Sequence, residues 1–96
     1  MSTRPAFKFR LYVAGDSLNS SQAVANLRAL CVDRLPGHHV IDVVDVFADP
    51  GRALADAVFM TPTLLKLSPA PTRRIVGNLS QTQRVLEALD LESLDD

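Results

Sequence analysis

The sequence predicts one α/β domain with the element order βαβαββα. Three observations carry that expectation: a period-two apolar pattern over residues 7–14, a helical stripe between two β-rich runs, and two short strands around a proline-punctuated turn before a final helix. The 96 residues are expected to build a single core between two or three layers, without a second domain.

Taken in order, Phe7, Phe9, Leu11 and Val13 alternate with Lys8, Arg10 and Tyr12, the period of a strand with one greasier face. Gly15-Asp-Ser stops it. Asn19, Ser20 or Ser21 is then expected to cap a helix by accepting free backbone N–H groups, and Val24, Leu27, Leu30, Cys31 and Leu35 recur at spacings of three and four. Pro36-Gly37 ends that helix. Val40-Ile-Asp-Val-Val-Asp-Val-Phe47 is rich in β-branched residues, so strand, helix and strand imply a parallel pair with a right-handed crossover. Asp49-Pro50 opens a second helix, expected to reach about Met60 with Leu54, Ala57 and Val58 on one side. Thr61-Pro62-Thr63 leads into the strand Leu64-Leu-Lys-Leu67, Ser68-Pro69-Ala-Pro71 turns the chain, and Thr72-Arg-Arg-Ile-Val-Gly77 returns antiparallel. Ser80-Gln-Thr-Gln83 fits a capping box, and Val85, Leu86 and Leu89 give a last helix its apolar face to about Asp90. Residues 1–6 and the acidic residues 92–96 read as short tails of a domain over residues 7–91.

That element order is the order of the thioredoxin-like fold. In that fold a redox dithiol sits where the first strand hands over to the first helix, because a helix N-terminus lowers a thiol pKa. Here the corner reads Gly15-Asp-Ser-Leu-Asn-Ser20 and holds no sulfur. The chain's one cysteine excludes an internal disulfide and a multi-thiolate zinc site, and implies a reducing compartment. Ten Lys plus Arg against 11 Asp plus Glu, spread along the chain, leave no footprint for nucleic acid or an anionic membrane. Without a long apolar run, a cytoplasmic location is expected.

The candidate residues are weighed against plainer roles. Cys31 lies on the apolar stripe and reads as a small buried hydrophobe. His38-His39 reads as a solvated loop, since adjacent residues of an extended chain point opposite ways and make a poor metal clamp. Asp42 and Asp45 fall on opposite sides of one strand, which denies them paired acid–base work. Ser17 or Ser20, near a helix N-terminus, has the chemistry to stabilise an anion. Lys66, Arg73 and Arg74 form the densest positive cluster, either ordinary hairpin charges or a partner-docking surface. No catalytic, cofactor-binding or metal-binding residue is expected, and no cofactor.

Leu11-Tyr-Val-Ala-Gly15, Asn19-Ser20, Val44-Asp-Val46, Asp49-Pro50, Thr61-Pro-Thr-Leu64, Pro71 with Arg73-Arg-Ile75, Gly77 with Leu79-Ser80, and Leu89-Asp-Leu91 resemble, in register, the KaiB family of small bacterial circadian clock proteins. The similarity covers residues 7 to 91. It implies a binding regulator rather than an enzyme, one that docks on the ATPase ring of a hexameric KaiC-like kinase and modulates its phosphorylation cycle or output. Further partners implied are a histidine kinase with a KaiB-like sensor domain, which is displaced, and KaiA, together with self-association as a dimer or tetramer. The resemblance also implies two packings of the second half: the thioredoxin-like one, a monomer that binds KaiC, and a ground-state form, often tetrameric, of order βαββααβ. Pro62, Pro69, Pro71, Gly77, Asn78, Ala88 and Asp90 lie in that rearranging half.

Lys66, Arg73 and Arg74 match the family's docking positions, while Asp42 and Ala57 stand where its cyanobacterial members carry docking lysines. Ala88 replaces a Gly and Asn78 an Asp. Ala exceeds Gly in helix propensity by roughly 1 kcal/mol, which tilts this chain towards a monomeric or dimeric thioredoxin-like state. The altered docking positions admit an alternative, a KaiB-derived adaptor in a stress or two-component pathway outside the clock.

Overall fold

Seven elements follow in the expected order in the computed structural model, which describes residues 6–91. The expected tail residues 1–5 and 92–96 lie outside the described residues. Strands β1 (Phe7–Val13), β2 (His39–Asp45), β3 (Thr63–Ser68) and β4 (Arg73–Val76) form one sheet in the order β2-β1-β3-β4. β1 and β2 are parallel, joined through helix α1 (Leu18–Arg34), while β3 runs antiparallel to both β1 and β4. Helices α2 (Pro50–Ala55) and α3 (Thr82–Ala88) complete the chain. This is the thioredoxin-like packing.

Strand parity divides the side chains into two cores. Phe7, Phe9, Leu11 and Val13 of β1 meet Leu27, Leu30 and Cys31 of α1, Leu64 of β3, and Leu86 and Leu89 at α3. On the opposite face Tyr12, Val44 and Leu65 lie against Ala53 and Val58 at α2. Burying each large apolar side chain contributes about 1.5–3 kcal/mol, so the α1/α3 face supplies most of the stabilisation and the α2 face holds a smaller share.

Several boundaries depart from the sequence reading. Ser17, not Asn19, Ser20 or Ser21, caps α1 by accepting the Ser20 N–H at 3.3 Å. Ser20 is buried instead, its hydroxyl accepting the Ala14 N–H at 3.0 Å, and Ala23 takes the inward position beside the half-buried Val24. β2 ends at Asp45 because that carboxylate accepts the Phe47 N–H at 2.9 Å and starts a turn, leaving Phe47 76% exposed. His39 opens β2 rather than lying in a loop, with Nδ1 donating to the Leu35 carbonyl at 2.8 Å.

The largest correction concerns α2, which stops at Ala55 rather than near Met60. Ala57 enters the left-handed region at φ 55°, and the Val58 N–H reaches back to the Ala53 carbonyl at 2.8 Å. That six-to-one bond, with Ala53 and Val58 both buried, is a Schellman ending. Leu54 is consequently exposed instead of sharing an inner side. α3 starts at Thr82, and the expected capping box does not form: the Ser80 N–H bonds Asn78 Oδ1 at 3.1 Å. Its other end repeats the α2 geometry, with Asp90 at φ 59° and the Leu91 N–H on the Leu86 carbonyl at 2.8 Å.

Candidate functional site

The α2 face of the sheet carries a network of charged and polar groups. Arg10 and Tyr12 share the parity of β1 opposite to Phe9 and Leu11, so both point towards α2. Arg10 Nε donates to Asp42 Oδ2 at 3.2 Å, and its Nη1 donates to Asp56 Oδ2 at 3.0 Å. Arg52 joins the same Asp42 oxygen from α2. The Tyr12 hydroxyl donates to the Asp56 carboxylate and lies 3.0 Å from the Arg52 carbonyl. Arg74 of β4 closes the assembly, with Nη1 on the Ala57 carbonyl at 3.0 Å and Nη2 on that of Asp56. These are carbonyls at the C-terminal end of α2, where a guanidinium also meets the negative end of the helix dipole.

The electrostatics follow from the contacts. Arg52, and then Arg10, hold the Asp42 carboxyl below the usual carboxylate range, while the Tyr12 hydroxyl and then Arg10 do the same for Asp56. Burial, reinforced by the Asp56 charge, pushes the Tyr12 phenol up. Both carboxylates are thus ionised and spoken for at neutral pH, and the phenol stays protonated.

Asp42, Ala57 and Arg74 therefore meet on one face of the molecule. Lys66 and Arg73 do not join them, because adjacent strand residues alternate and both lie on the α1/α3 side with Leu64. There Arg73 Nε pairs with Asp90 Oδ2 at 2.7 Å. Lys66 is only 2% exposed, and burial pushes its pKa down against a partial offset from Asp90. The single positive cluster read from Lys66, Arg73 and Arg74 is split by the sheet. The sequence reading missed Arg10, Tyr12, Arg52 and Asp56. Their available signals were the shared parity of Arg10 and Tyr12 with Asp42, and the four-residue spacing of Arg52 and Asp56 beside Asp49-Pro50.

The remaining singled-out residues cluster around the two antiparallel strands. Pro62 is buried before β3, and the Gly77 N–H donates to its carbonyl at 2.9 Å. Gly77 holds φ 128°, which a side chain disfavours. Pro69 and Pro71 sit in the β3–β4 turn, and the bonds preceding Pro62, Pro69 and Pro71 are cis. Asn78 uses both ends of its amide: Nδ2 donates to Gln22 Oε1 at 3.1 Å while Oδ1 accepts the Ser80 N–H. An Asp there lacks the donor. Its carbonyl accepts Asn26 Nδ2 at 2.8 Å, tying the approach to α3 onto α1. Ala88 is the last residue of α3.

At the β1–α1 corner, Ser17 and Ser20 spend their hydroxyl oxygens on backbone N–H groups, and the Gly15 N–H donates to Asp45 Oδ1 at 3.1 Å. Cys31 is buried in the core, where desolvation pushes its thiol up to about 11. None of the described helices is long and apolar enough to cross a membrane.

A family model for the KaiB domain matches residues 10–91. The circadian clock oscillator protein KaiB of Prochlorococcus marinus strain MIT 9313 is 44% identical over 91 residues, covering 95% of this chain and 76% of the relative. Among solved structures, the N-terminal domain of Synechococcus elongatus SasA superposes with a TM-score of 0.73 at 16% identity, covering 94% of this chain and 89% of that domain. Fasciola hepatica thioredoxin gives 0.72 at 14% identity, over 93% and 84% of the two chains. These last two likenesses are of fold.

Proposed function

The chain belongs to the KaiB family of circadian clock proteins, and from that premise we propose that it is a regulatory binding protein that docks on a KaiC-like ATPase ring and modulates its phosphorylation cycle or output. The observation that carries this reading is the extent of the family match, which runs through all seven elements. The site chemistry supports action by binding rather than catalysis. Its carboxylates are paired with arginines, the Tyr12 phenol and the Cys31 thiol are both raised, and no group is poised as a general base or nucleophile among the described residues.

Docking in this reading uses the hairpin side of the molecule, where Arg73 and Arg74 are exposed. Ala57 lies at the end of α2 that Arg74 braces, and Asp42 lies beyond it on β2. Lys66 is buried in this packing, which the resemblance gives as the form that docks, so Arg73 and Arg74 rather than Lys66 present charge to a partner. Two packings of the second half, separated by a few kcal/mol, then set what fraction of the chain is ready to dock. A histidine kinase bearing a KaiB-like sensor domain competes for the same ring, and KaiA is captured beside it.

One observation favours the adaptor reading. Asp42, aligned with a docking lysine in the family resemblance, is spent on Arg10 and Arg52, so the charge at that position is both reversed and internally engaged. Binding to the host's KaiC homologue, with ATP and with ADP, separates the two readings. A complex that Arg73→Glu weakens supports docking on the ring, whereas no complex in either nucleotide state leaves the adaptor role.

A further inference from the structure

We propose that Phe47, Phe59 and Met60, at the end of the sheet where β1 and β2 finish, form a docking surface for a partner segment whose apolar anchors are flanked by Lys or Arg. The three side chains are 76%, 82% and 65% exposed. With Val46, Ala53 and Val58 they line one shallow pocket of about 200 Å³, and none of its lining residues is charged. Single apolar residues scattered over a surface are ordinary, whereas three large ones sharing a pocket mark a place where something binds.

The backbone holds these groups outward. Val58 is buried, with its N–H on the Ala53 carbonyl at 2.8 Å, and Pro62 is buried four residues on, so Phe59 and Met60 bridge two anchored points. The Thr63 hydroxyl donates to the Met60 carbonyl and fixes the bridge again. On the other side, Asp45 Oδ1 accepts the Gly15 and Phe47 N–H groups at 3.1 and 2.9 Å, and a Cβ on Gly15 would lie 3.7 Å from the Phe47 ring. Groups positioned in advance lose little entropy on binding, and Phe and Met are enriched where partners dock.

The surrounding charges select the occupant. Asp16, next to Gly15, is exposed and makes no hydrogen bond or ion pair among the described residues. Asp45 spends Oδ1 on the two amides, which leaves Oδ2. The neighbouring cations are engaged, Arg52 by Asp42 and Asp49, and Arg74 by the carbonyls that end α2. An apolar pocket beside unmatched carboxylates favours Lys or Arg flanking the anchors. It disfavours an anionic bilayer or a second copy of the same patch, each of which brings more negative charge. This chemistry is the reverse of that at Arg73 and Arg74, so the inference is independent of the ring reading.

Titration of the isotope-labelled full chain with a synthetic amphipathic peptide of Leu and Lys, followed by NMR beside the matching Leu and Glu peptide, tests it. Expected are saturable shifts centred on residues 14–16, 45–47 and 58–61, with the Glu peptide binding at least tenfold more weakly. Phe59→Ser combined with Met60→Ser is expected to weaken the Lys peptide at least tenfold, and Asp16→Lys to narrow the gap between the two peptides. All three positions are exposed, so far-UV circular dichroism and the melting temperature should be retained. No saturation by the Lys peptide at millimolar concentration overturns the proposal. So do equal affinities for the two peptides, shifts centred elsewhere, or self-association of the free chain through these residues, all read on the unsubstituted protein.

Discussion

Asp56 joins the second half of the chain to the first through polar contacts. It accepts from Tyr12 and Arg10 of β1, and its own carbonyl accepts from Arg74 of β4. Asp56→Ala removes two contacts to a charged acceptor and is expected to cost about 2 kcal/mol in urea unfolding. Because the folded carboxyls of Asp42 and Asp56 lie below their ordinary values, their stabilisation is complete above the ordinary carboxylate range and is lost as pH falls through the lowered values. Unfolding midpoints are therefore expected to drop below about pH 4, and Asp56→Asn should flatten that acid limb. An acid limb unchanged in Asp56→Asn contradicts the assignment. Ala57 gives a second test, since a non-glycine residue in the left-handed region carries about 1–2 kcal/mol of strain. Ala57→Gly is expected to raise the melting temperature. Cys31 was legible in the sequence because burial follows from its place on the helical stripe. Ala57 was not, because its backbone is set by Val58 entering the core and by Arg74 holding the carbonyls beside it, neither of which is local in sequence.

Legibility among the elements follows their length. β1, α1 and β2 have seven, 17 and seven residues, enough for a period of two or of three and four to repeat. Helices α2 and α3 have six and seven, fewer than two full turns, so periodicity says little about where they begin and stop. Tertiary contacts decide instead: both helices end in a Schellman geometry without glycine, and α3 starts after a loop that Asn78 ties to α1. These short, externally braced helices are the natural place for a second packing of the chain. Ala88→Gly is expected to destabilise α3 by up to about 1 kcal/mol, less than mid-helix because Ala88 ends the helix. Backbone NMR of that variant should show a larger fraction of a second set of resonances for residues after Asp49, with β1 and α1 unchanged. A uniform loss of stability with a single set of resonances contradicts a bistable second half.

For the molecule as a whole, sheet topology and family were both readable from the order of elements and the spaced motifs, whereas the site was readable only in part. Parity predicted that Asp42 and Asp45 part company, and the same rule, not applied to Lys66, Arg73 and Arg74, separates those cations across the sheet. What emerges is a small domain with one face braced by ion pairs and a sheet bounded by β2 and β4. The proposed role of this domain is regulation by docking on a KaiC-like ring. The most direct measurement is binding of the labelled full chain to the host's hexameric KaiC homologue by fluorescence anisotropy, with ATP and with ADP, followed for hours. Expected is a complex in at least one nucleotide state, weakened at least tenfold, or about 1.4 kcal/mol, by Arg73→Glu. No complex in either state, or one indifferent to that charge reversal, contradicts it.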